Sequence, residues 1–118
     1  MRILPVFAIA LALALPMAAA GAPVGLHVSP HTIAAGHIVH VSGNVGGGCS
    51  HSGKVTVLSA AFHAGGEFAG VNAIFIHIRP SGNFAAQTRI PSSRAAGAYH
   101  VGARCGGGSF GNITLHVT

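Results

Sequence analysis

The feature that most constrains this chain is a two-residue alternation of apolar and polar side chains running through most of its length. Strand side chains change face at every residue, whereas a helix buries a stripe with a period of 3.6. Val39-His40-Val41-Ser42, Ile74-Phe75-Ile76-His77 and Leu115-His116-Val117 follow the first rule. Gly, Pro, Ser and Asn interrupt the pattern about every ten residues, as they do between short strands. Seven strands are predicted, at 24–28, 37–43, 54–61, 73–79, 84–90, 98–105 and 112–118. The inward sets of all but the fifth are Leu26 and Val28; Val39 and Val41; Val55 and Val57; Ile74, Ile76 and Ile78; Tyr99, Val101 and Ala103; and Ile113, Leu115 and Val117. Pro80-Ser81-Gly82-Asn83 reads as the hairpin turn between the fourth and fifth strands. So many short strands in under a hundred residues predict an all-β, two-sheet antiparallel sandwich without a helix.

The alternation begins only after an N-terminal stretch of different character. Arg2 is followed by an apolar run at 3–15, then by Pro16 and the small residues Ala18-Ala19-Ala20. This is the three-part form of a secretory signal, with cleavage expected before Gly21. The apolar run is shorter than the roughly 20 residues a spanning helix needs. Residues 1–20 therefore read as a cleaved signal peptide and 21–118 as one secreted, extracytoplasmic domain that does not span a membrane.

Composition narrows function by exclusion. Among 118 residues Glu67 is the only acid, against six Lys and Arg and nine His. Paired carboxylates, a Ser-His-Asp triad and an EF-hand loop are all excluded. Two short motifs match catalytic patterns without their context. Gly48 to Val55 reads G-x-x-x-x-G-K-V, but Val55 replaces the magnesium-binding hydroxyl and strands flank both sides. Gly107 to Gly111 reads G-x-S-x-G, yet a nucleophile elbow needs a following helix and an acid, and this stretch reads as a glycine-rich hairpin loop. The chain is read as non-enzymatic.

Lys54, Arg79, Arg89, Arg94 and Arg104 leave the exported part cationic. They form no cluster, and Phe75 is the sole aromatic exposed by parity, so nucleic acid is not expected as a partner. An extracellular protein or an anionic cell-wall polymer fits better, with the chain a monomer or weak oligomer.

Export also gives the two cysteines a meaning, because disulfides persist in oxidising compartments. Cys49 follows three glycines and Cys105 precedes three, so two loop backbones can approach closely. A Cys49–Cys105 bridge would tie the loop after the second strand to the end of the sixth, pinning one end of the sandwich.

Histidine is the abundant titratable residue. By parity His27, His40, His77, His100 and His116 point outward, mainly as solvating side chains. A hairpin centred near Gly108 would set His100 opposite His116, close enough to share Cu(II) or Zn(II). A surface-histidine metal-binding protein is thus the alternative function, with His100 and His116 as its ligands and copper or zinc as its only cofactor. His27, His40 and His77 would share the other sheet if strands one, two, five and four form it.

Gly97-Ala98-Tyr99 opens the sixth strand in the layout of a tyrosine corner, in which the Tyr99 hydroxyl returns to upstream backbone. Together with Val28-Ser29-Pro30, Ala35-Gly36, Val39 to Gly43, Ser81-Gly82-Asn83-Phe84, Ile90-Pro91 and Ala103-Arg104-Cys105, this resembles the Ig-like domains of secreted and cell-surface bacterial proteins, especially actinobacterial ones. The likeness spans 21–118 and implies an Ig-like β-sandwich with a binding, adhesive or structural role at the cell envelope or outside the cell. The chain is more distantly similar to the enediyne-antibiotic apoproteins, but lacks their second disulfide, and their ligand is not carried over.

Overall fold

The alternation resolves into nine strands in a computed structural model that describes residues 25–47, 49, 53–105 and 108–118. These are β1 (Gly25–Ser29), β2 (Thr32–Ile33), β3 (Ile38–Asn44), β4 (Lys54–Leu58), β5 (Glu67–Phe68), β6 (Val71–His77), β7 (Asn83–Arg89), β8 (Gly97–Cys105) and β9 (Gly108–Val117). No helix occurs among the described residues. The signal segment at 1–20 and His51 lie outside them.

Two sheets form, a three-stranded one ordered β1-β3-β7 and a six-stranded one ordered β2-β9-β8-β4-β6-β5. All neighbours pair antiparallel except β2 with β9. The first segment crosses between the sheets: β1 belongs to the small one, the chain turns at the cis Ser29–Pro30 bond, and β2 joins the large one.

Both inner faces bury what the alternation assigned to them. Leu26, Val28, Val39, Val41 and Phe84 come from the small sheet, and Val55, Val57, Ile76, Val101, Leu115 and Val117 from the large one, all buried. Each such side chain contributes about 1.5–3 kcal/mol by leaving water. Phe84 and Phe110 meet edge to face across the layer, with centroids 6.3 Å apart at 70°. Ile74, Tyr99 and Ile113 pack against this core but are only half-buried.

Three expectations are corrected. The strand expected at 54–61 ends at Leu58, because Phe62 N–H donates to the Ser59 carbonyl (3.1 Å) and turns the chain. Arg94 then clamps that turn, Nε donating to the Ala61 carbonyl and Nη2 to that of Phe62. The second correction concerns Pro80 to Asn83. Gly82 N–H donates to the Arg79 carbonyl and Arg79 N–H to that of Asn83, and Gly82 takes φ 90°, a value that suits glycine. That turn is tight, but β6 and β7 leave it for different sheets. His77 therefore sits on the large sheet, away from His27 and His40. Finally, the stretch around Ser109 read as a hairpin loop is part of β9.

Cys49, between β3 and β4, is bonded to Cys105, the last residue of β8, with Cα atoms 5.8 Å apart. The bridge ties the connection leaving the small sheet to one end of the large sheet. Near the other end of β8 the Tyr99 hydroxyl donates to the Ala95 carbonyl at 2.7 Å.

Candidate functional site

Three departures from regular strand structure meet on the outer face of the six-stranded sheet. The first is Gly102, in the middle of β8 and opposite Leu58 of β4. With no side chain there, a dip opens between two strands.

The second is a bulge in β9. The pairs Val101–Ile113 and Ala103–Phe110 leave Gly102 facing two residues, Gly111 and Asn112. Gly111 has φ 78°, the left-handed conformation that opens a glycine bulge. A Cβ at Gly111 would stand 2.6 Å from the Cβ of Leu26, so β1 also requires the hydrogen.

The third is the β5–β6 hairpin. Its two-residue turn, Ala69-Gly70, has φ values of 55° and 82°, as in a type I′ turn. Alanine is strained in that position, by about 1 kcal/mol. β4 and β6 separate β8 from β5, about 14 Å in a flat sheet. Even so, the Arg104 guanidinium carbon lies 5.2 Å from the centre of the Phe68 ring, so the two side chains reach toward each other across the face.

Together these features enclose a groove of about 600 Å³. Leu58 and Val71 supply apolar wall, Gly102 the floor, and His100, Arg104 and Asn112 the polar positions. Arg104 differs from Arg89 and Arg94, and shares with Arg79 a guanidinium that makes no hydrogen bond among the described residues. Arg89 donates to the Gly36 carbonyl and Arg94 to those of Ala61 and Phe62, whereas the Arg104 guanidinium donates to no carbonyl or carboxylate among the described residues. No acid lines the groove, and Glu67, the only one in the chain, stands on β5 outside the lining. The site is therefore electropositive, with hydrogen-bond donors uncommitted and an apolar stacking face beside them.

The pairing of β8 with β9 also corrects the histidine register. His100 pairs with Thr114, and His116 with Ala98, so His100 and His116 are diagonal neighbours on one face and not directly opposed. The Cys105–Gly108 pairing stands three residues short of a hairpin centred on Gly108, and the extra residue in β9 gives back one, a net shift of two. Among the described residues no three His, Cys, Asp or Glu side chains gather closely enough to hold a metal ion. All the described histidines are exposed, including the loop residues His31, His37 and His63.

Ser109 and His100 both line the groove but do not form a catalytic pair. Ser109 pairs with Arg104 and His100 with Thr114. Four residues of β8 separate the two rows, about 13 Å along the strand.

His100 was legible in the sequence as an outward residue, though for a different chemistry. Arg104 and Gly102 were not singled out as a site. The available signal was a glycine inside a strand pattern, flanked two residues away on each side by His100 and Arg104. Comparison with known proteins returns no matching family model, no matching curated protein and no matching solved structure.

Proposed function

We propose that this chain is an exported, non-enzymatic, Ig-like binding module that takes an anionic ligand with a flat apolar body into the groove on its six-stranded sheet. The observation that carries this reading is the uncommitted Arg104 guanidinium at the edge of an apolar groove without carboxylates. A guanidinium presents a planar fork of donors to a carboxylate, sulfonate or phosphate. The bare backbone at Gly102 and the walls of Leu58 and Val71 suit a ring system. A pocket of this size is within the range used for small ligands.

The Ig-like reading is supported by strand order. One sheet holds the first, third and seventh strands, the other sets the eighth between the fourth and ninth, and the first segment is divided between the two sheets. The disulfide is consistent with an extracytoplasmic location. Among the described residues no helix is long and apolar enough to cross a membrane.

The test is calorimetric titration with three probes that share one ring system: 1-naphthoate, the neutral 1-naphthalenemethanol and the cationic 1-naphthylmethylamine. Naphthoate is expected to bind best, with Arg104→Ala weakening it about tenfold, the scale of one charge-assisted hydrogen bond. Gly102→Val, whose Cβ would meet the movable end of His100 at 3.2 Å and the Gly111 carbonyl oxygen at an ordinary 3.8 Å, should fill the groove and abolish binding. Equal affinity for all three probes, or unchanged binding in Gly102→Val, would contradict the assignment.

A further inference from the structure

β7 is a seven-residue strand with a partner on one side only among the described residues. Its pairing to β3 is unbroken from Ile38–Arg89 to Asn44–Asn83. Beyond the two ends, Ile90 N–H donates to the His37 carbonyl and Val45 N–H to that of Gly82. In an antiparallel ladder the bonding rows alternate. Residues 84, 86 and 88 therefore direct their N–H and C=O groups to β3, while Ala85, Gln87 and Arg89 direct theirs away from the sheet. The Asn83 carbonyl, next along, is already taken by Arg79 N–H.

Edge strands are usually blunted by lysine, proline, a bulge or short length. β2 and β5 are blunted by length, at two residues each. β7 has no lysine, proline or bulge, and its one charged side chain, Arg89, is tied back across β3 to the Gly36 carbonyl. Apart from Arg89 at one end, the side chains along the edge are uncharged.

We infer that β7 is a self-association edge, at which two copies of this chain pair antiparallel about a two-fold axis through Gln87. The register follows from charge and from bonds already made. An axis at Arg89 would oppose the two guanidinium groups directly, which is destabilising. An axis at Ala85 would draw on the Asn83 carbonyl that Arg79 occupies. An axis at Gln87 sets Ala85 of each copy against Arg89 of the other and brings the two Gln87 amides together, each with donor and acceptor. The two Arg89 backbones then stand four residues apart, about 13 Å, beyond the roughly 8 Å Debye length at physiological salt. The pairing joins two three-stranded sheets into one of six. Edge contact alone is a small interface, so the dimer is weak.

The experiment is sedimentation equilibrium of the purified protein from 10 μM to 1 mM, with Gln87→Lys and Gln87→Glu alone and mixed. Gln87 is exposed, so both variants should keep the wild-type melting temperature. The wild type is expected to dimerise. Each variant alone should dimerise at least tenfold more weakly, because the axis sets the new charge against itself, and an equimolar mixture should regain wild-type association or better. A wild type that stays monomeric to 1 mM, a Gln87→Lys variant that associates as strongly as wild type, or a mixture no stronger than its components would each overturn the inference. A wild type that stays monomeric but binds an extended peptide at β7 would assign the edge to a different partner, and overturns self-association equally.

Discussion

The two sheets of this sandwich bury their inner faces by the same rule and differ in almost everything outside. The three-stranded sheet is regular, its registers run without a bulge, and its outer face carries His27, Ser29, His40, Ala85 and Gln87. The six-stranded sheet is interrupted by Gly102, by the Gly111 bulge and by the β5–β6 turn, and there the outer face becomes concave. Burial needs only alternation, so it tolerates both kinds of sheet. A recess for a ligand needs departures from alternation, whereas a pairing edge needs their absence. One core thus supports two sheets that are built differently outside it.

The largest expected effect comes from uncoupling the sheets. Cys49→Ser/Cys105→Ser removes the tie between the connection leaving β3 and the end of β8, opening a loop with a sequence separation of 56 residues. The chain-entropy relation sets the loss at about 4 kcal/mol, read as a fall in the denaturation midpoint. The groove beside β8 should lose its probe with it.

Gly111→Val comes next, and strikes the irregular sheet alone. It places a β-branched residue at φ 78° and pushes a methyl-bearing carbon into Leu26. A loss of about 3 kcal/mol follows from backbone strain and overpacking together. A variant as stable as wild type would mean that the bulge is not built around this glycine.

The regular sheet has one internal fault. Thr88 is buried on the inner face of β7, and its Oγ1 has no hydrogen-bond partner among the described residues. Thr88→Val keeps the shape and removes the desolvated hydroxyl, so it should stabilise by about 1 kcal/mol in urea unfolding. A clear loss would reveal a partner for that oxygen.

The smallest effect returns to the groove rim. Ala69→Asn suits the first position of the type I′ turn and should gain about 0.5 kcal/mol. Stability should rise slightly, while the added amide beside Val71 lowers naphthoate affinity.

The same contrast explains what could be read from the chain. Alternation located all seven of the longer strands and most of the core they contribute, because burial on one face imprints a period of two, but it did not assign Phe62, Phe84 and Ile90, the largest fully buried side chains. It assigns a face, however, and not a sheet, which is why β6 and β7 look like an ordinary hairpin until the turn at Gly82 sends them to different layers. β2 and β5 are too short to carry any period. The glycine run around β9 left its register open, because a loop, a turn and a bulge all use glycine; the two-residue shift between His100 and His116 came from there. Arg104 was visible as a cation, but only the fold shows that its guanidinium lies over Phe68 and makes none of the carbonyl hydrogen bonds that hold Arg89 and Arg94.

The most direct measurement is a two-dimensional amide NMR titration of the labelled protein with 1-naphthoate. The account predicts saturable shifts at His100, Gly102, Arg104 and Asn112, with the outer residues of the small sheet, His27, His40 and Gln87, unmoved. Shifts centred on the small sheet, or none on either at millimolar probe, would contradict it.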